Sequence, residues 1–304
     1  MGLPAPLKAM FSLSRQALQS WSEDYAPSMG AALAYYTLFS IAPLLLIVIG
    51  VAGLIFGDDA ARGEIFGQLT DLMGEEGAAA VERLLANASK PEGGIIATII
   101  GTATLLLGAM TVFGELQNAL DRIWRAPVRK HASGWWNLLR SRLLSFGMIL
   151  AIAFLLMVSL VLSAALSALG EGLAHVLDIA VTFGILTLLF ALIYKLIPRV
   201  RVAWRDVWIG AAVTAALFAV GKFLIGLYIG KSSVASAFGA AGSVVVMMVW
   251  VYYSAQIFLL GAEFTWVYAH TYGSRRGERR PRAEDSAPVE PRSPSGPSRP
   301  ARSA

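Results

Sequence analysis

The residues of this sequence that could do chemistry are ionisable and polar side chains inside long apolar runs. Charged groups at bilayer depth are costly, so they tend to face the interior of a helix bundle or a water-filled path. Glutamates and nearby polar residues recur here at spacings of three, four or seven, which places them on one stripe of each helix. The candidate intramembrane polar site comprises Glu115, Asn118, Lys222, Tyr252, Gln256 and Glu263.

The same pattern also fits helix packing. Small and polar residues on one face commonly mark close contacts between membrane helices, with hydrogen bonds across the contact. The sequence therefore leaves two hypotheses open for Glu115 and Glu263, a path for a solute or lipid and a role in packing or anchoring. Either way, we expect their two helices to be neighbours with both carboxyl groups facing inward. For Lys222 the sequence favours snorkelling over a role in transport: its side chain would extend along the helix and place the amine at the membrane interface.

Catalytic and metal chemistry find no support in the sequence. There is no cysteine, which excludes thiolate ligands and disulfides, and three histidines are too few for a histidine-built metal site. No nucleophile with a neighbouring base and no cluster of acidic residues suited to hydrolysis is visible. We therefore expect no catalytic residues, no metal, no cofactor and no enzyme activity.

The elements that must position these residues are membrane-spanning helices. Hydrophobic residues make up 56% of the 304-residue chain and charged residues 15%. About 20 apolar residues at about 1.5 Å each cross a hydrocarbon core of about 30 Å. Six runs are about that long or longer and predict an all-α polytopic membrane protein with spans near residues 32–56, 94–120, 143–169, 179–197, 207–229 and 243–269. Pro43 removes a hydrogen bond from the first span and predicts a kink there.

The distribution of positive charge predicts the orientation of these spans. Twenty of the 25 lysines and arginines fall in segments that six spans place on the same side of the membrane. These segments are the N-terminal segment, the loops after spans two and four, and the C-terminal tail. Cytoplasmic segments carry such an excess, so both termini are expected in the cytoplasm and loop 58–93 outside. The net charge of +5 then indicates contact with anionic lipid and not with nucleic acid.

The flanking segments differ from the six-span domain, which we place at residues 28–272. Residues 1–27 predict a cytoplasmic interfacial amphipathic helix. Its apolar face would contain Leu7, Met10, Phe11, Leu18, Trp21 and Tyr25. Loop 58–93 is acidic and has helical spacing near 64–86, which predicts one or two short surface helices. Residues 273–304 are rich in Pro, Ser and Arg and predict a disordered basic tail.

Several segments together resemble the YihY/virulence factor BrkB family of bacterial inner-membrane proteins. The resemblance covers about residues 28–272. Its motifs are AALAYYTLFSIAP at 31–43, NALDRIW at 118–124, YKLIP at 194–198, WRDVW at 204–208, and GAAGS, WVYYSAQ and GAEF within 239–264. The resemblance implies a six-helix protein of the bacterial inner (plasma) membrane. Relatives have carried the label ribonuclease BN, but the residues here give that label no chemical support.

Two functional hypotheses remain after these exclusions. The first is a transporter or translocator of a lipid or small solute in the cell envelope, with the polar stripes lining its path. The second is a non-transporting structural or partner-binding envelope protein whose polar stripes hold the bundle together. Expected partners are membrane lipids, including anionic lipid at the cytoplasmic face, and a second copy of the chain in a homo-oligomer. Nucleic acid is not expected as a partner.

Overall fold

The computed structural model describes residues 5–88, 111–127, 171–231, 238 and 241–278. Within these ranges the regular secondary structure is helical, and no described residue lies in a β-strand. The helices are α1 (Ala5–Glu23), α2 (Ala26–Phe56), α3 (Asp58–Ala88), α4 (residues 111–123), α5 (Glu171–Leu196), α6 (Trp204–Lys231) and α7 (Gly242–Thr271). The all-α prediction is confirmed for this part of the chain.

Three described helices are long and apolar enough to cross a membrane. The stretches are Ile179–Leu196 in α5, Trp204–Ile229 in α6 and Gly242–Thr271 in α7, and they coincide with predicted spans four, five and six. Helix α2 contains the whole of predicted span one and continues past Pro43 without a break in the helix. A kinked helix would also continue, so the predicted kink stays a prediction. Residues 94–110 of span two, span three at 143–169, and the tail from 279 lie outside the described residues.

Helix α7 is the centre of the described bundle, where it packs against α1, α2, α3 and α6. Close packing against α6 requires a glycine at position 261. A Cβ atom there would collide with the Thr214 side chain on α6 and the Tyr194 hydroxyl on α5. The Tyr194 hydroxyl fills this crossing and donates to the backbone oxygen of Phe258 at 2.7 Å. A small residue thus lets three membrane helices meet around the buried Tyr194 hydroxyl, which also lies 3.1 Å from the Thr214 hydroxyl.

Helix α1 packs on α7 through a face distinct from the apolar face that the sequence assigned to the membrane interface. Its buried residues are Leu13, Ala17, Ser20 and the following Asp24. Met10, Phe11, Leu18 and Tyr25, which the sequence placed on the apolar face, are largely exposed. The physical reason is size, because alanine and serine let the backbone of α1 approach α7 closely. The large apolar side chains form a separate, outward face.

Helix α3 consists of two helical pieces joined at Gly74, in agreement with the one or two helices predicted near residues 64–86, but it packs on the bundle. It covers Asp58–Ala88 and is interrupted at Gly74, whose φ of 76° is left-handed. Val81 and Leu85 are fully buried, and the helix contacts α2 and α7. The helical spacing of its apolar residues therefore reflects packing against the bundle.

The chain remains ordered for several residues beyond α7. Residues 272–278 form turns, and the side chain of Asp206 at the start of α6 accepts hydrogen bonds from the Ser274 backbone N–H at 3.1 Å and the Ser274 hydroxyl at 2.6 Å. The beginning of the segment predicted to be disordered, residues 273–304, is thus tied to α6.

Candidate functional site

The carboxyl group of Glu263 is the most deeply buried member of the predicted polar site. Glu263 lies in the last third of α7 and has no solvent exposure. Neither of its carboxyl oxygens has a hydrogen-bond donor. A buried polar atom without a partner is unusual, and in a membrane helix it marks a candidate for function.

Asp24 lies beside Glu263, where α1 turns into α2. The turn is made by Tyr25, a left-handed residue with φ of 57°, and the Asp24 backbone N–H still donates to Ser20 at 2.8 Å. This geometry directs the Asp24 side chain inward, where it is 2% exposed. Its carboxyl group is the strongest charged neighbour of Glu263 and lies within reach of a hydrogen bond.

Arg125, in the turn that follows α4, supplies a positive charge next to Asp24 and Glu263. Its guanidinium lies 3.8 Å from the Asp24 carboxylate, and both side chains are buried. The same guanidinium lies 4.3 Å from the centre of the Trp266 ring, one helical turn after Glu263 on α7. A desolvated cation over an indole ring is among the stronger cation–π contacts. Arg125 thereby joins α1, α4 and α7.

We call Asp24, Arg125, Glu263 and Trp266 the buried charge cluster. His270 borders it, since its ring lies 4.4 Å from that of Trp266 and its Nδ1 lies 2.8 Å from the Trp266 backbone oxygen. The cluster contains two carboxyl groups and one guanidinium, so its charges do not balance if both acids are ionised. Buried ion pairs are favourable only when geometry and hydrogen bonds compensate for the lost solvation.

Gln256 lies two turns before Glu263 on the same stripe of α7. Its side-chain Nε2 lies 3.5 Å from the Pro27 backbone oxygen at the start of α2. Gly30 makes this contact possible, because a Cβ atom there would collide with the Gln256 amide. The structure thus brings Glu263 and Gln256 to one seam, which α7 forms with α1 and the first turns of α2.

The other predicted site residues lie elsewhere on the described helices. Glu115 is half-buried and Asn118 exposed on α4, Lys222 is exposed on α6, and Tyr252 is 38% exposed on α7. Tyr252 lines an open groove with Tyr228 and Tyr253. The charged groups that act on Glu263 are Asp24, Arg125 and Glu23, and Glu115 is not among them. A site shared by the two glutamates stays a prediction.

A second polar contact holds α4 to the turn between α5 and α6. The Asp121 carboxylate accepts a hydrogen bond from the Arg199 backbone N–H at 2.8 Å and lies 3.3 Å from the Arg199 Nε. Gln117 adds a hydrogen bond to the Ile197 backbone oxygen at 3.1 Å. Burial raises the pKa of Asp121, while the N–H and charge of Arg199 lower it in part. This contact positions α4, and with it Arg125.

The comparisons with known proteins decide the family. The sequence profile described as virulence factor BrkB matches residues 17–286. The chain belongs to the virulence factor BrkB family. The resemblance carried by the sequence motifs is thereby confirmed. Like its relatives, this BrkB-family protein is a membrane protein, and its apolar helices place it in the inner membrane as a multi-pass protein.

Relatives of this BrkB-family chain are similar over most of its length. The UPF0761 membrane protein of Tolumonas auensis is 30% identical over 80% of each chain. That of Cronobacter sakazakii is 28% identical over 80% of this chain and 83% of the relative. The UPF0761 membrane protein YihY of Salmonella typhimurium is 31% identical over 61% of this chain and 62% of its own. None of these names states an enzymatic activity, and no solved structure matches the chain.

Sequence reasoning missed Asp24 and Arg125. Both lie outside the predicted spans, and Arg125 counted only as one of many cytoplasmic cations. A signal for Asp24 was present in the Asp-Tyr-Ala-Pro sequence at 24–27, since proline favours the first turn of a new helix. No local signal reveals Arg125, because its partners lie on α1 and α7. Among the described residues, no group of three metal-ligating side chains is present.

Proposed function

We propose that this protein is a transporter or translocator of a lipid or small solute across the inner membrane. The observation that supports it is the Glu263 carboxyl group, fully buried with both oxygens lacking a donor. A residue that served packing alone would be expected to have its hydrogen bonds satisfied. Acidic groups inside membrane helices are typical of ion and substrate paths. Gln256 extends the polar stripe along the same seam.

The proposal includes six spans with both termini in the cytoplasm. The distribution of cations along the sequence supports it. The structure adds that Arg125, Arg199 and Arg275 converge at one end of the bundle. Arg275 lies 5.7 Å from the centre of the Trp124 ring and donates to the Arg201 backbone oxygen at 3.1 Å. A cluster of arginines at one end fits a cytoplasmic face.

Labelling of a single cysteine tests this topology. The chain has no cysteine, and Glu75 is exposed next to the interruption of α3, so Glu75→Cys gives one reporter. We expect a membrane-impermeant maleimide to label it from the extracytoplasmic side. A cysteine at the exposed Arg276 is the matched control for the cytoplasmic side. Labelling of both positions from the same side contradicts the proposed orientation.

The outward face of α1 supports a contact with lipid. Met10, Phe11 and Leu18 are each more than half exposed. Lys8 and Arg15 lie on a different face of the same helix. Apolar and basic faces side by side are the arrangement of an interfacial helix on anionic lipid. The proposed partners are therefore membrane lipids, with the basic residues beyond Thr271 adding to the attraction.

A second candidate function is a non-transporting envelope protein, either a homo-oligomer or a platform for a partner. One observation favours it: the described cation that contacts Asp24 is a loop arginine, Arg125, which connects α1 to α7. In this case the buried charge cluster serves only to hold the helices together. Neither candidate includes an enzymatic step or a nucleic-acid partner.

Reconstitution distinguishes the two candidates. Proteoliposomes would be screened for uptake of candidate solutes and for transbilayer movement of labelled lipids, with Glu263→Gln, Glu115→Gln and the exposed control Glu82→Gln. Under the transport proposal Glu263→Gln abolishes flux and leaves thermal stability nearly unchanged, and Glu82→Gln changes neither property. Flux and stability that fall together, or wild-type flux in Glu263→Gln, would contradict transport through this residue and favour the structural role.

A further inference from the structure

The two acids of the buried charge cluster have carboxyl oxygens without a hydrogen-bond donor. Glu263 has two oxygens without a donor, and Asp24 has one. An ionised carboxylate only accepts hydrogen bonds, so two of them side by side cannot satisfy each other. A proton on one of the acids changes this, because a protonated carboxyl donates to its neighbour. A single shared proton would therefore give one oxygen of each acid a hydrogen-bond partner.

The charges of the surrounding groups agree with this count. Among the described residues, the charged groups that act on the pair are Glu23 on α1 and Arg125 after α4, and His270 lies next to Trp266 on α7. Arg125 lies 3.8 Å from Asp24 and is also held over Trp266. Among the described residues, Arg125 is the cation that acts on Glu263, while Asp24 and Glu23 add negative charge. The carboxylate of Asp206 on α6 accepts a hydrogen bond from the Ser274 hydroxyl instead of pairing with Arg125.

We propose that Asp24 and Glu263 form a proton-binding site, in which the two carboxyl groups share one exchangeable proton. The bound proton makes a carboxyl–carboxylate hydrogen bond across the contact between α1 and α7, and Arg125 neutralises the remaining charge. Loss of the proton leaves two adjacent carboxylates away from water, and like charges at such a site repel strongly. The site thus acts as a latch that holds α1 on α7 while the proton is bound. This goes beyond the proposed function, since the latch exists whether or not anything is transported.

Infrared spectroscopy on the reconstituted protein tests the proton directly. The C=O stretching band of a buried protonated carboxyl should be present at neutral pH and disappear when the pH is raised. Glu263→Gln and Asp24→Asn should each remove this band. Asp206→Asn is the matched control, because Asp206 is equally buried but accepts hydrogen bonds from Ser274. It should leave the band in place. A wild-type spectrum without the band, or a band that survives in both Glu263→Gln and Asp24→Asn, would overturn the proposal.

Cysteine labelling tests the latch. Ala17 is 1% exposed on the face of α1 against α7, whereas Leu18 is 52% exposed next to it. The labelling rate of Ala17→Cys divided by that of Leu18→Cys reports the exposure of the α1 face, and the same ratio in Glu263→Gln at each pH corrects for the higher pKa of a buried thiol. We expect this ratio to rise roughly tenfold as the proton is lost, a change equivalent to about 1.4 kcal/mol.

Three variants identify the group that controls the ratio. In Glu263→Gln the amide replaces the protonated acid, so the ratio should stay low at every pH. Asp24→Asn should behave in the same way and serves as the second variant where Glu263→Gln does not fold. His270→Gln should keep the pH dependence, since the proposal assigns the proton to the acids. A ratio independent of pH in the wild-type protein, or one that loses its pH dependence only in His270→Gln, would contradict the latch.

Discussion

The guanidinium of Arg125 lies 4.3 Å from the centre of the Trp266 ring and 3.8 Å from the carboxylate of Asp24. These two contacts connect three segments that are remote in the sequence: the end of α1, the turn after α4, and the last third of α7. Arg125 has a φ of 50°, a left-handed conformation that is costly for a residue with a side chain. The contacts of Arg125 must compensate for this cost. We therefore expect the packing of the buried charge cluster to depend on Arg125.

Substitution of Arg125 should therefore destabilise the protein. Removal of one partner from a buried ion pair typically costs about 3–5 kcal/mol, because the other charge stays buried. We expect Arg125→Ala to lower the unfolding temperature in detergent more than Arg125→Lys does. Arg122→Ala is the control, since Arg122 lies over the exposed ring of Tyr25 at 5.3 Å and its loss should cost below about 1 kcal/mol. Equal effects of Arg122→Ala and Arg125→Ala would show that the buried pair has no special role.

The crossing of α6 and α7 should not tolerate a side chain at position 261. A methyl group there meets Thr214 and the Tyr194 hydroxyl, and overpacking of this kind typically costs about 1–3 kcal/mol. Gly261→Ala should thus lower thermal stability. Gly184→Ala on α5 is the control, because no atom lies within 4 Å of its new Cβ. It should be neutral or slightly stabilising, since alanine favours helix over glycine by up to about 1 kcal/mol. A Gly261→Ala protein as stable as wild type would contradict the described packing.

Asp121 should give the stability of the protein a measurable pH dependence. Burial raises its pKa above the ordinary 3.8, so the folded protein binds this proton more tightly than the unfolded chain does. The sign is that stability falls as the pH rises from 3.8 through the raised pKa. Asp121→Asn should flatten this part of the unfolding profile and retain the oxygen that accepts from the Arg199 backbone. Arg199→Gln should move the slope to higher pH, since it removes a charge that lowers the pKa. Unchanged profiles in both variants would be inconsistent with this assignment.

The outward face of α1 should lie in the lipid interface. An environment-sensitive fluorophore on Phe11→Cys should show a blue-shifted emission in liposomes and quenching by lipid-attached nitroxides. The matched control is Ser12→Cys, because Ser12 is also exposed but lies on the adjacent polar side of the helix. Its fluorophore should emit as in water. Equal emission from both positions would mean that α1 does not rest on the membrane with the proposed face.

The sequence by itself determined the class, the family and the position of long helices. Predicted spans four to six agree with the apolar stretches Ile179–Leu196, Trp204–Ile229 and Gly242–Thr271 of α5–α7, because about 20 apolar residues in a row have few other stable environments. It also identified Glu263, since an acid inside such a run is conspicuous. These inferences need only local composition and spacing.

The tertiary structure decided which residues Glu263 meets and which face of α1 is buried. Asp24 and Arg125 look like ordinary solvated charges in the sequence, and only the folding of α1 and the turn after α4 onto α7 removes them from water. Which face of α1 packs on α7 did not follow from the sequence for a related reason: hydrophobicity alone ranks Phe11 above Ala17, whereas the close approach of two helices selects the smaller residue. Contacts between segments distant along the chain depend on shape and charge in three dimensions, and neither is encoded in the local pattern of a single segment.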